Sequence, residues 1–320
     1  MTQYEVVGIG NAVVDVISHA DDSFLDLMGI EKGIMQLIER DRGEMLYGAM
    51  KDRLQTPGGA VANTIAGIGA LGLPTAFIGR VHDDALGRFY AKSMVDGGTD
   101  FVNDPVAGGD LPTSRSMIFV SPDGERSMNT YLGISTDLGP DDVPDDVASA
   151  AKIMFLEGYL FDKDKGKQAF LEASRLTRAA GGKAGIAISD PFCVNRHRDD
   201  FLRMIRDELD FVIGNQAEIL SLFETDDLED ALTRTAAMCG TVVCTRSGDG
   251  VTLIRDGERV DVPVTKVTPV DATGAGDQFA AGFLYGMATD RNLETCGKMG
   301  NICAAEVISH IGPRPATNMM

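Results

Sequence analysis

The chain switches hydrophobic period along its length: short apolar runs alternate with stretches whose apolar positions recur at helical spacing. Strands separated by helices pair in parallel, and a parallel sheet needs both faces covered. An α/β domain around a central, mostly parallel sheet is therefore expected. The spacing predicts strands at Tyr4–Ile9, Thr75–Ile78, Lys152–Leu156, Gly185–Ser189, Phe211–Gly214 and Thr241–Thr245. It predicts helices at Val61–Leu71, Leu86–Val95, Lys165–Ala180, Asp199–Glu208, Leu228–Met238, Gly276–Ala288 and Leu293–Ile308, with a hairpin over Gly250–Val262.

Two stretches break this rhythm. Val14–Ile38 reads as a short strand (Val14–His19), an acidic turn and a second strand (Gly33–Leu37). Ser116–Val120 and Arg126–Tyr131, joined by Ser121-Pro122-Asp123-Gly124, read as a hairpin. Strands without intervening helices do not enter a βαβ sheet in the ordinary way, so a small separate sheet, a lid, is expected. This division puts residues 1–13, 39–110 and 135–320 in the main domain, and residues 14–38 and 111–134 in the lid.

Charge narrows the partners. With 48 acidic against 29 basic side chains, a net charge of -19, no face is suited to a polyanion, and nucleic acid is excluded. No apolar run reaches the roughly 18 residues of a membrane span. The N-terminus lacks a basic, apolar leader, and the five cysteines are scattered, so reduced thiols in a cytoplasmic protein are expected. The same field repels phosphates, so a phosphate site must be built locally from backbone amides, a metal or a few cations.

Glycine points to where such sites lie, at 37 of 320 residues with no G-X-Y period. After Gly274-Ala275-Gly276-Asp277, the apolar positions Phe279, Ala280, Phe283, Leu284 and Met287 follow helical spacing. The turn opens a helix, and free amides at its positive end make an anion site. Asp277 sits in the first turn beside that site, where an aspartate is equally a cap. Thr56-Pro57-Gly58-Gly59-Ala60-Val61-Ala62-Asn63-Thr64 is a second glycine turn into a helix; Asn63 and the Gly59 and Ala60 amides suit hydroxyls. Gly67-Ile68-Gly69-Ala70-Leu71-Gly72 has the form G-x-G-x-x-G but lies inside a helix, where packing explains it better than a dinucleotide. No G-x-x-x-x-G-K-[ST] occurs. Asn215 and Glu218 share a helix face and suit a hydrated Mg²⁺ held through water, or equally a capped helix with a solvated glutamate. Thr245-Arg246-Ser247-Gly248-Asp249-Gly250 is a polar loop at a strand end, where α/β proteins bind ligands, and Asn11 and Asp15 flank the end of the first strand.

Taken in order, these segments resemble the ribokinase-like, or PfkB-type, family of sugar and nucleoside kinases over nearly the whole length. Asp271-Ala272-Thr273-Gly274-Ala275-Gly276-Asp277 is the most specific match, with Ala272 where the family more often has Thr. Within the family, Gly8-Ile9-Gly10-Asn11-Ala12-Val13-Val14-Asp15, Phe24-Leu25-Asp26, Gly158-Tyr159-Leu160 and Asp190-Pro191-Phe192 are most similar to the adenosine kinase branch. The resemblance implies a three-layer α/β/α sandwich with a small β lid. It also implies ATP-dependent phosphorylation of a primary hydroxyl, the 5′-OH of adenosine.

In that picture Asp277 accepts the hydroxyl proton, while the Ala275 and Gly276 amides of the Gly274–Gly276 turn form the anion hole around the transferring phosphoryl. An ordinary aspartate pKa of about 4 makes a weak base, which a loose transition state tolerates. The resemblance assigns Asn215 and Glu218 to Mg²⁺-ATP, and Thr245, Gly248, Gly250 and Asn301 to the nucleotide. It assigns Asn11, Asp15, Gly59, Ala60 and Asn63 to the ribose, and Met35, Leu37, Tyr159, Leu160 and Phe192 to the walls around adenine. Asp271 and Thr273, with backbone of Val307, His310 and Gly312, would hold a monovalent cation such as K⁺. The alternatives are a sugar kinase of the same family, with more polar groups in place of Met35, Leu37 and Tyr159, or a nucleoside-binding protein without catalysis. A monomer and a homodimer formed through the lid both remain open.

Overall fold

A computed structural model describes residues 4–317, so the first three residues of the segment 1–13 and the last three of 135–320 lie outside the described residues. The strands, in chain order, are β1 (Tyr4–Ile9), β2 (Val13–His19), β3 (Met35–Leu37), β4 (Leu54–Pro57), β5 (Thr75–Ile78), β6 (Thr99–Phe101) and β7 (Ser114–Val120). They continue with β8 (Arg126–Tyr131), β9 (Ala151–Glu157), β10 (Lys183–Ala187), β11 (Phe211–Asn215), β12 (Thr241–Thr245), β13 (Val251–Arg255) and β14 (Glu258–Val262).

Nine strands form the main sheet in the order β14-β13-β12-β11-β10-β9-β1-β5-β6. It is parallel except at β13, which runs antiparallel to both of its neighbours. Successive side chains on a strand point to opposite faces. Val6, Phe77, Ile153, Phe155, Phe211 and Val243 enter one core with the helices Ala60–Ala70, Ala275–Ala288 and Leu293–Val307. Val7, Ala76, Met154, Leu156, Val212 and Val242 enter the other, under the helices Asp164–Ala179, Pro191–Asp207 and Leu228–Ala236. A buried large apolar side chain contributes roughly 1.5–3 kcal/mol and an exposed ion pair about 0–1. The two cores, rather than the many surface ion pairs, hold the layers together.

The small sheet runs β3-β8-β7-β2-β4. The hairpin β7–β8 is as expected, but β2 pairs in parallel with β7, and β3 in parallel with β8. β4, which the sequence analysis left inside the main domain, pairs antiparallel with β2. The acidic turn expected after His19 is instead the helix Asp22–Met28. Asp21 caps it by accepting from the Phe24 amide at 2.8 Å, and Gly29 ends it in the left-handed conformation. The helix expected from Asp199 begins already at Pro191, capped by Asp190, with a break at His197.

β1 lies between β5 and β9, so the chain leaves β1 toward one edge and returns to its other side. This is a topological switch point, outside whose strand ends open α/β sheets bind ligands. Asn11 follows β1 and Glu157 ends β9, one on each side of the crevice. β2 departs from the same place, and β4 returns through Gly58 and Gly59 into the helix Ala60–Ala70. That helix packs closely on Ala275–Ala288: a Cβ on Gly67 would sit 2.2 Å from Gln278 Oε1 and 2.9 Å from Ala281 Cβ. Helix packing thus accounts for this glycine of the G-x-G-x-x-G string. Among the described residues no helix is long and apolar enough to cross a membrane, and all five cysteines are buried free thiols.

Candidate active site

Gly274 adopts φ 79, ψ 2 and N-caps the helix Ala275–Ala288. A Cβ there would fall 2.6 Å from Pro313 Cα, so both the conformation and the space call for glycine. The tight turn draws the Ala275 amide onto the Ala272 carbonyl at 3.2 Å. Among the described residues, the Gly276 and Asp277 amides have no acceptor. The open pair is therefore Gly276 and Asp277, not Ala275 and Gly276 as expected, because the left-handed Gly274 folds the Ala275 amide back into the turn. A Cβ on Gly276 would meet nothing within 4 Å.

Asp277 is half-buried beside these amides. Asn63 Nδ2 donates to its Oδ2 at 3.0 Å, and the Thr64 hydroxyl donates to its backbone carbonyl at 3.0 Å. Gln278 Nε2 donates to the carbonyls of Asn63 and Pro313, both at 3.0 Å, which ties the two glycine-led helices to the C-terminal segment. Burial pushes the Asp277 carboxyl up to about 7; the Asn63 bond and Arg314 oppose this, while Glu157 and Asp15 add to it. The group is thus a better base near neutral pH than its residue type alone suggests.

Asp15 stands on β2 across from Thr56 and Ser116. Burial pushes it up to about 7 as well, against the pull of Arg314 and Arg126. A Cβ on Gly58 would lie 2.6 Å from its carboxyl group. Asn11, expected to grip the ligand, is a brace instead: its Nδ2 donates to Glu157 Oε1 at 2.8 Å and its Oδ1 accepts from Ser135 Oγ at 2.9 Å. Glu157 also accepts from the Asn11 amide at 3.2 Å and the Val61 amide at 3.1 Å, joining the ends of β1 and β9 to the helix after Gly59. Gly59 itself has φ 95, and a Cβ would lie 2.3 Å from the Asn11 carbonyl. Glu157 escaped the sequence reading; the available signal was a lone acid closing the apolar run of β9.

From Asp277 a cavity of about 820 Å³ runs past Ala60, Tyr159, Asn215 and Glu218 to Thr245, Gly248, Gly250 and Asn301. All six residues expected on the nucleotide side line it. Lys266, which belongs to no motif, is the one lysine or arginine in its wall among the described residues. Asn301 is fixed by donating to the Pro263 carbonyl at 2.8 Å. Asn215 and Glu218 form a capping box: the Asn215 side chain accepts from the Glu218 amide, and both Glu218 oxygens accept from Asn215. The cap of the capped-helix alternative is present, but Glu218 is buried at 8% exposure and faces the cavity rather than solvent. Burial, with Asp190 adding to it, pushes Glu218 up to about 7 although the Asn215 amide opposes this. Among the described residues no group of three His, Cys, Asp or Glu is poised to hold a metal. The pair would hold Mg²⁺ only through water.

Several expected residues are elsewhere. Leu160 is 3% exposed and packs in the core with Phe161 and Phe170, because the 3₁₀ turn Gly158–Asp162 sends it inward while Tyr159 faces the cavity. Phe192 is 73% exposed on the first turn of its helix. Met35 and Leu37 are 42% and 52% exposed on the edge strand β3. The cation cluster is also differently arranged. Asp271 accepts from the Thr273 amide and hydroxyl at 3.0 and 2.7 Å, from the Gly312 amide at 3.0 Å, and from Arg126 Nη2 at 2.6 Å. Burial raises its pKa, but these bonds outweigh it and leave the carboxyl below its usual range. Val307 is buried in the helix Leu293–Val307, and His310 Nε2 lies 3.3 Å from Glu306. Asp271 already has its counter-charge, an arginine of β8, so its carboxylate does not fit as an open cation ligand.

A doubly wound sheet, a carboxyl group in the first turn of a helix, open amides beside it and a cavity of nucleotide size suit a phosphotransferase with an alcohol group as acceptor. The chain belongs to the pfkB family of carbohydrate kinases, whose sequence profile matches residues 27–318. It is 46% identical to the adenosine kinase from Sinorhizobium meliloti, with a TM-score of 0.92 over 99% of this chain and 97% of that one. A probable sugar kinase from Rhizobium etli is 44% identical, with a TM-score of 0.92 and the same coverage. An uncharacterized sugar kinase from Archaeoglobus fulgidus is 30% identical over 254 residues, 78% of this chain and 96% of its own.

Proposed function

We propose that the protein transfers the γ-phosphoryl group of ATP to the 5′-hydroxyl of adenosine. Asp15 carries this reading: its half-buried carboxylate has no hydrogen-bond donor among the described residues and lies in the same electrostatic cluster as Asp277. A carboxylate so placed pairs with two neighbouring hydroxyls of a ribose, and deoxy analogues would leave it unpaired. The 46% identity to an adenosine kinase supports the nucleoside. In the transfer, the 5′-oxygen bonds to the γ-phosphorus, the bond to the β,γ-bridging oxygen breaks, and the hydroxyl proton passes to Asp277. The Gly276 and Asp277 amides hold the phosphoryl oxygens. Asn215 and Glu218 would hold Mg²⁺ through water, where the ion would offset charge on the phosphates.

One observation favours a second reading, a free sugar as acceptor. Of the five expected walls around adenine, Tyr159 lines the cavity but Met35, Leu37, Leu160 and Phe192 do not. Two of the relatives are also named sugar kinases. A coupled ADP-release assay across adenosine, inosine, guanosine, ribose and fructose decides. Adenosine is expected to give the highest kcat/KM, and a higher value for ribose or fructose would sink the nucleoside reading.

A further inference from the structure

Arg314 lies between Pro313 and Pro315 in the irregular segment after the helix Leu293–Val307, and no motif drew attention to it. Its Nε donates to Asn63 Oδ1 at 3.1 Å, and its Nη2 lies 3.3 Å from Met94 Sδ. A guanidinium only donates, whereas a side-chain amide has one accepting and one donating end. Arg314 thereby fixes the Asn63 oxygen toward itself and the Asn63 nitrogen toward Asp277 Oδ2, 3.0 Å away. Turned over, Asn63 would set an oxygen against a carboxylate.

The segment is itself held rigidly. The Pro313 carbonyl accepts from Gln278, and Pro313 packs against Gly274 of the anion turn. The charges acting on Asp277 are Glu157 from β9, Asp15 from β2 and Arg314; of these, Arg314 is the one cation. Tyr159 is influenced by Asp277 from the 3₁₀ turn, and Tyr90 of the helix Ala85–Asp96 lies beside Arg314. Without Arg314, three carboxyl groups would share one pocket without this counter-charge.

We propose that Arg314 is a positioning residue for phosphoryl transfer: through Asn63 it holds one oxygen of Asp277 and leaves the other for the acceptor hydroxyl. The inference rests on Asp277 being the base, and the test separates the two. The variants R314Q, R314K, N63A, R314Q/N63A, R314K/N63A and D277N are compared for kcat, both KM values, the pH profile of kcat and Tm. R314Q is expected to lower kcat roughly ten- to hundredfold while leaving the KM for ATP within about twofold. Its acidic limb moves to higher pH, because removing a cation disfavours the ionised carboxylate. R314K keeps the charge and an ammonium donor but not the planar guanidinium, so its kcat falls less than that of R314Q, about fivefold.

R314Q/N63A is expected to be no slower than N63A, since two residues acting in one chain of contacts are not additive. An R314Q kcat within about twofold of the parent, an unmoved acidic limb, or losses that multiply with those of N63A would each overturn the proposal. Should R314Q not fold, R314K decides by the same cycle: a kcat loss that vanishes in the N63A background supports the relay, and one that persists overturns it. If D277N turns over like the parent, the base assignment itself fails and the proposal with it. If D277N is inactive while R314Q is normal, only the relay fails.

Discussion

Asp277 lines one end of the cleft, and Asp15 and Glu157 act on it as further carboxyl groups withdrawn from water, with Arg314 as their counter-charge. At the nucleotide end the wall is largely backbone and small side chains, among them Gly248, Gly250, Ala272, Ala275, Gly276 and Ala304, with Lys266 as its one cation. The first end works by electrostatics and is sensitive to isosteric changes of charge. The second works by close approach and is sensitive to added volume. Among the described residues, Glu218 is the one acid in that wall besides Asp277, and its carboxyl group is engaged by Asn215 in the capping box.

Substitutions at the two ends test this contrast. Asp277→Asn changes charge with almost no change of shape and is expected to lower kcat by roughly 10²–10⁴-fold, with the KM for ATP nearly unchanged. Steady-state ADP release checks it, and retention of a tenth of the parent rate would break the contrast. Gly276→Ala adds one methyl in open space beside the free amides, so the fold should tolerate it. It is expected to lower kcat/KM for ATP by roughly ten- to hundredfold while leaving Tm and the acceptor KM close to the parent. Asp15→Asn is expected to raise the acceptor KM about tenfold, the order of one charge-assisted hydrogen bond, without touching ATP.

The smallest effect is on stability. Asp277 has a folded-state pKa near 7, above its unfolded value. The folded state therefore keeps a proton that the unfolded chain has released, and stability falls as pH rises from about 4 to about 7. An amide at this position carries no such penalty, so Asp277→Asn should raise Tm by ~2–5 °C at pH 8 and by much less at pH 4. Calorimetry at the two pH values reads the difference directly. In the parent, kcat/KM should decline below pH 7 as the same carboxyl group takes up its proton.

The main-sheet strands were legible because burial on both faces leaves continuous apolar runs such as Ile153–Leu156. β4 was not: Leu-Gln-Thr-Pro is an edge strand with Leu54 63% exposed, and it becomes a strand only by pairing with β2. The helix Asp22–Met28 buries only Leu25, too little for a periodic signal, although Asp21 offers a cap. In the site, Asn63 and Asp277 stood out because glycine turns announce them. Glu157, Arg126 and Arg314 did not, since each is defined by partners distant in sequence. Tyr159 and Leu160, adjacent in sequence, part company in a 3₁₀ turn whose direction no local pattern reveals.

The contact of Pro313 with Gly274 has a bearing on how the molecule is made. Asn11, Asn63, Asp277 and Arg314 come from segments far apart in sequence, and Pro313, which backs the Gly274 turn, follows every strand of both sheets. A nascent chain halted before Pro313 can assemble most of its sheet and still lack a seated base. Pro313 and Arg314 are made only after every strand of both sheets, so the turn is seated once the fold has already begun to take shape.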